Sequence, residues 1–248
     1  MLDLVDPDAL HAARNGLRRY LAEGLEGEFS GLYAGLTVAE AYAPDSRQAG
    51  RRALRNLCLS YLLELDTPAA RQLALAQFRA ADNMTDQFAA LATLANVVAA
   101  DCPERDTALA EFYARWHDEA LVVDKWLAVQ ATSRRPDTLA TVRALSAHPA
   151  FDSGNPNKIY ALIRSFGANL AHFNAADGSG YAFIAGHILE LHERNPQVAS
   201  RLARCFDRWK KFDGGRQAHA RAALECIRDH DGLSRDVLEI VTRALASA

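Results

Sequence analysis

Residues 189–202 read LELHERNPQVASRL. His192 and Glu193 could open the zinc-peptidase motif H-E-x-x-H, in which two His share one helix face and the Glu serves as base. The position of the second His holds Pro196 instead. Proline cannot ligate a metal, and inside a helix it removes a hydrogen bond and its ring strikes the preceding turn. At the first position of a helix its missing N–H costs nothing. Asn195 before it can accept a hydrogen bond from the first turn. The stretch therefore reads as a tight corner: one helix closes near His192 and Glu193, and another opens at Pro196.

The same pair of signals recurs at Asp6-Pro7, Thr67-Pro68 and Asn155-Pro156. Asp8 adds negative charge near the positive end of the first helix. Ala, Leu, Arg and Glu, all strong helix formers, dominate the segments between these starts. Apolar residues fall at helical spacing: Leu10, Ala13, Leu17, Tyr20 and Leu21 in the first segment, Leu54, Leu57, Tyr61 and Leu65 in the third, and Val198, Leu202, Cys205, Phe206 and Trp209 after Pro196. These patterns predict helices at 7–24, 25–42, 46–65, 68–82, 85–100, 104–117, 119–131, 137–147, 156–169, 180–194, 196–211, 213–230 and 234–247. The connectors are short, so sequential helices are expected to pack antiparallel. The expected fold is all-α: one domain over 1–248, built of irregular stacked antiparallel helical hairpins in an armadillo/HEAT-like α-α superhelix. The loop at 148–155 is the best place for a change of direction.

Bulk properties exclude several classes. The 28 Lys+Arg against 31 Asp+Glu give a net charge of −3, which argues against nucleic-acid or membrane-surface binding. Apolar runs such as LATLANVVAA are too short to span a bilayer. The acidic start MLDLVDPDAL lacks the form of a signal peptide. Cys58, Cys102, Cys205 and Cys226 form no C-x-x-C and read as thiols of a reducing, cytoplasmic setting.

Chemistry-bearing motifs are scarce. The chain has no G-x-S-x-G, G-x-G-x-x-G or P-loop. Asp177-Gly178-Ser179-Gly180 reads as a loop and helix cap. His187 and Glu190 have the three-residue spacing of some metal sites, but a catalytic zinc takes three protein ligands. His117-Asp118-Glu119 reads as a capped helix junction. The cluster Arg208-Trp209-Lys210-Lys211-Phe212 is assigned to a helix C-terminus, where cations complement the dipole. Gln197, Arg201, Arg204 and Arg208 form a polar stripe beside the apolar one. Such stripes are usually solvated faces, but a concave helical surface could present this one to a ligand.

Five stretches, ADNMTDQFAALATL (81–94), WHDEALVVDKWLAVQATS (116–133), HPAFDSGNPNKIYALIRSF (148–166), FNAADGSGYAFIAGHI (173–188) and RNPQVASRL (194–202), resemble in the same order the C-terminal region of bacterial aminopeptidase N. That family is also called alanyl aminopeptidase and is a zinc metallopeptidase of the gluzincin type. The resemblance implies the helical C-terminal domain of a four-domain enzyme that removes N-terminal residues from peptides. Such a domain caps the active-site chamber and limits access, and its partners are the catalytic domain of the same polypeptide and peptide substrates. It also implies zinc in the full-length enzyme, held outside this segment, with no metal and no catalytic residue here. From the family's N-P-Q-x-x-x-R-L segment, the positions implied to face the substrate are Gln197 and Arg201. An arginine fork suits a carboxylate. The family often reads N-P-N-R-I-R where this chain has Asn155-Pro156-Asn157-Lys158-Ile159-Tyr160, so the contact of that second basic residue is lost or replaced at Tyr160. The rival readings are a free-standing helical-repeat interaction scaffold and a small metalloenzyme built on His187 and Glu190.

Overall fold

The computed structural model describes residues 4–37 and 40–246. Its helices are α1 (Pro7–Gly24), α2 (Glu26–Gly35), α3 (Ser46–Leu62), α4 (Pro68–Ala80), α5 (Met84–Ala95), α6 (Pro103–Trp116), α7 (Ala120–Ala131), α8 (Thr138–Ser146), α9 (Pro156–Ile159), α10 (Ser165–Gly167), α11 (Leu170–Phe173), α12 (Ser179–Leu191), α13 (Pro196–Ala203), α14 (Gly214–Arg228) and α15 (Arg235–Ala246). The described residues include no strand, only one isolated bridge between Val5 and Phe212. No helix among them is long and apolar enough to cross a membrane. The fold is all-α.

All four cap-proline starts form. Asp6 Oδ1 accepts from the Asp8 N–H at 2.9 Å, Thr67 Oγ1 from Ala70 at 3.2 Å, Asn155 Oδ1 from Asn157 at 3.0 Å and Asn195 Oδ1 from Val198 at 3.2 Å. Helix ends differ more from the sequence reading. The helix expected over 25–42 ends at Gly35, and residues 38 and 39 lie outside the described ones, as does residue 247 of the last expected helix. The helix expected over 85–100 ends at Ala95, where the Asn96 side chain donates back to the Ala92 carbonyl at 2.8 Å and closes the turn. The helix expected over 196–211 ends at Ala203 and gives way to tight turns at Arg204–Phe206 and Trp209–Lys211. The other two ends also close on local bonds: the Leu36 N–H donates to the Leu32 and Ala34 carbonyls, and the Arg204 N–H to that of Leu202.

The chain packs as two compact units, one of residues up to 11 with those from 120 onward, the other of residues 12–119. The break before Ala120 has no Gly- or Pro-rich linker, and the 148–155 loop lies within one unit. In the 12–119 unit, α2 packs on α3, α4 on α5 and α5 on α6. Phe112 anchors its core between Phe78 and Phe88, with ring centroids at 6.3 and 6.2 Å. In the other unit, α7 packs on α8, α12 on α13 and α14, and α13 on α15. There Phe173, Tyr181 and Phe206 form a fully buried aromatic cluster. Gly180 lets α12 start against α11, since a Cβ there would lie 2.4 Å from the His172 and Phe173 carbonyl oxygens.

Two apolar stripes read from the sequence do not face the core. Leu10, Leu17 and Tyr20 on α1, and Leu54 and Leu57 on α3, are exposed. A polar anchor makes the contact instead: Arg18 Nε donates to Glu64 at 2.7 Å, and its guanidinium lies over the Tyr61 ring at 4.5 Å. The α3 core face carries Cys58, Leu59 and Leu62. Periodicity identified the helices but not which of two adjacent faces is covered.

The basic cluster at 208–212 is structural, though it serves another helix. Trp209 is buried and its Nε1 donates to the Ala244 carbonyl at 3.1 Å, while Lys210 Nζ donates to that of Leu245 at 3.2 Å. These groups satisfy the free carbonyls of α15. Asp177 Oδ1 accepts from the Ser179 N–H at 2.9 Å, which makes the Asp-Gly-Ser-Gly stretch a helix start.

Arg216 is buried and ties the start of its unit to the end. It donates to the Asn174 carbonyl at 2.6 Å, to Asp213 at 2.6 Å and to Asp8. The hydrogen bond from Arg216 holds the Asp213 carboxyl below the usual aspartate range. This contribution is complete above the unfolded Asp value of about 3.9 and is lost as pH falls through the lower folded value. Arg216→Ala is expected to cost about 3 kcal/mol in urea unfolding at pH 7. The gap to wild type should narrow below about pH 4; a pH-independent gap would contradict this assignment.

Candidate functional site

The candidate site is built by α13 and by a π turn, Tyr160–Arg164, between α9 and α10. Lys158 sets the position of α9. It is buried, and its Nζ donates to Asp124 at 2.7 Å and to the Ala120 carbonyl at 2.9 Å. The next residues widen into the π turn because the Tyr160 carbonyl accepts the Ser165 N–H, five residues on, and the Ser165 hydroxyl at 3.1 Å. Single π turns inside helices are rare and frequent at functional sites.

Across from this turn, α13 buries Val198, Ala199, Leu202 and Ala203 and exposes Gln197 and Arg201. Arg201 Nη1 donates to the Tyr160 hydroxyl at 2.9 Å. Tyr160, Arg164, Arg201, Arg204 and Cys205 line one cavity of about 290 Å³. Gly167 makes its floor possible, because a Cβ there would stand 2.5 Å from the Cys205 sulfur. Burial pushes the Cys205 thiol up to about 11, so it remains neutral at physiological pH.

Of the two residues the resemblance pointed to, Arg201 lines this cavity and Gln197 does not. Gln197 sits one turn earlier on the same exposed face, and its carbonyl accepts from the Ser200 hydroxyl at 3.0 Å. The polar stripe is shorter than its spacing suggested: because α13 ends at Ala203, Arg208 is not on its face. Arg164 is not part of the polar stripe because it lies on the π turn, not on α13. The signal available was its position four residues after Tyr160.

His187 Nδ1 lies 3.3 Å from Glu190, and burial lowers its affinity for a proton. His192 points elsewhere; it is buried and packs against His230 with ring centroids at 5.1 Å. Among the described residues no group of three or more His, Cys, Asp and Glu is placed to hold a metal. A catalytic zinc takes three protein ligands, so this donor set does not fit one. A second cavity, of about 250 Å³ in the 12–119 unit, includes Arg52, Arg55, Asp82 and Asp86 and so carries both signs of charge. Several of its lining groups are bonded to neighbours behind them: Gln77 accepts from Tyr33 at 3.0 Å, Arg55 donates to Tyr33 at 2.9 Å, and Asp86 accepts from Asn56 at 2.8 Å.

Over residues 1–246 the chain matches the family described as a domain of unknown function (DUF3458_C) with ARM repeats. It is 43% identical over 247 residues to aminopeptidase N of Escherichia coli (strain K12), covering 99% of this chain and 28% of that protein. Aminopeptidase N of Caulobacter vibrioides is 40% identical over 248 residues, with 99% and 28% covered. The crystal structure of Legionella pneumophila aminopeptidase A in complex with aspartic acid matches with a TM-score of 0.89 and 33% identity, covering 98% of this chain and 29% of that one. The chain thus spans less than a third of the length of these relatives.

Tyr160→Phe removes the acceptor that holds Arg201. Stability should change by no more than about 1 kcal/mol, the net value of one hydrogen bond at a half-buried position. The Arg201 guanidinium should become more mobile by side-chain NMR relaxation; unchanged order would mean that Tyr160 does not position it.

Proposed function

This chain belongs to the DUF3458_C ARM-repeat family as a C-terminal domain of aminopeptidase N, and from that premise we propose that it serves a zinc-dependent aminopeptidase by shaping access to the active site. In this reading it caps the catalytic chamber, admits free peptide N-termini and holds no catalytic zinc itself. Arg201 contacts the peptide beyond the scissile bond, and Gln197 on the same exposed face assists. The polypeptide acts in the cytoplasm. Zinc supplies the Lewis acid and activated water from the catalytic domain, while the residues of this chain bind and orient the peptide.

One observation carries the reading: an exposed arginine of α13, oriented by Tyr160, lines the cavity within a chain that matches aminopeptidase N over 99% of its length. A guanidinium in this position can donate two parallel hydrogen bonds to a peptide carboxylate, or a single one to a carbonyl.

The test is kinetic. In the full-length polypeptide, Arg201→Ala should lower kcat/KM for tripeptides about tenfold, the value of one charge-assisted hydrogen bond. Alanine p-nitroanilide, which has no peptide beyond the scissile bond, should be much less affected. Unchanged tripeptide kinetics would remove Arg201 from the site. The 248-residue chain by itself should not hydrolyse alanine p-nitroanilide with zinc added; zinc-dependent turnover would contradict the noncatalytic role.

A further inference from the structure

Three guanidinium groups, those of Arg164, Arg201 and Arg204, line one cavity. Arginine stays charged at any pH a protein tolerates. Among the described residues, the carboxylate that bonds one of the three is Asp207, which accepts from Arg204 Nε at 3.2 Å. Arg201 spends an N–H on a neutral hydroxyl. Arg164 has no hydrogen-bond or ion-pair partner among the described residues. The remaining lining groups are neutral, including the buried Cys205 thiol. In a chain whose net charge is −3, this is a concentrated positive site. All three residues are exposed, so water and salt screen their repulsion, and an anion that enters the groove meets three like charges at once. The cavity, at about 290 Å³, is at the small end of ligand pockets, so it suits an end group rather than a long chain.

We propose that this groove selects peptides with an acidic C-terminal residue, Arg201 taking the α-carboxylate and Arg164, with Arg204, the second negative charge. The inference rests on the reading of the groove as peptide-facing and adds a specificity that Arg201 alone would not give. Arg201 is held in place by Tyr160 before any ligand arrives. Arg164 leaves the π turn with its donors unspent, so a second carboxylate costs it no existing bond.

The experiment is a titration of the chain with Ala-Ala-Glu, Ala-Ala-Gln and Ala-Ala-Gln amide, followed through the arginine Nε–H resonances in low-salt buffer. Wild type should bind Ala-Ala-Glu about tenfold more tightly than Ala-Ala-Gln, and the amide least. Arg164→Ala should abolish the Glu-over-Gln preference, weakening Ala-Ala-Glu far more than Ala-Ala-Gln, with an unchanged circular dichroism spectrum. Arg164→Lys should restore part of it. Arg201→Ala should weaken both acids, so loss of the substrate-facing reading and loss of this inference give different results. An Arg164→Ala chain that keeps the preference, or a wild-type chain that binds acid and amide alike, would overturn the proposal.

Discussion

The first turn of every helix leaves N–H groups without partners inside the helix, about four of them. Much of this chain is organised by how it meets that demand. An oxygen-bearing side chain followed by proline supplies one acceptor and removes one donor, at a value of about 1 kcal/mol per cap. Used at Asp6, Thr67, Asn155 and Asn195, the device starts a helix abruptly after a short connector. Abrupt starts let consecutive helices turn back on one another. Two of the four, at Asn155 and Asn195, begin the segments whose side chains meet in the groove.

Buried charge then fixes what the caps leave free. Lys158 binds α9 to α7 through Asp124, and Arg216 joins Asp8, Asn174 and Asp213. An ion of either kind would be costly in the interior without such partners. These residues join segments far apart in sequence, 34 residues for Lys158 and Asp124 and 208 for Arg216 and Asp8. The groove begins beside one of them: Lys158 lies two residues before Tyr160, and Cys205 rests on Gly167.

The starts of the helices were legible because capping chemistry is local. Their ends were less so. The chain stays apolar past Gly35, Ala95 and Ala203, and short local bonds at Leu36, Asn96 and Arg204 close the helices there. The exposed stripe of Leu10, Leu17 and Tyr20 misled for a related reason: periodicity reports an apolar face and says nothing of what covers it. Of the two residues that the resemblance named, Arg201 lines the groove and Gln197 does not. The partnership of Arg201 with Tyr160 was not legible, because it spans 41 residues and depends on a π turn that no spacing rule signals. Tyr160 stands where the family often has a second basic residue. Here it accepts a hydrogen bond from Arg201, and an arginine four residues later brings positive charge back to the groove.

The proposed function requires the π turn and α13 to form a peptide-facing surface. Photocrosslinking tests it most directly, using a tripeptide with a diazirine-bearing C-terminal residue bound to the full-length polypeptide and mapped by mass spectrometry. The account predicts labels within residues 160–168 and 201–205, suppressed by excess unlabelled peptide. Competed labelling of this chain elsewhere, with none at these segments, would contradict it.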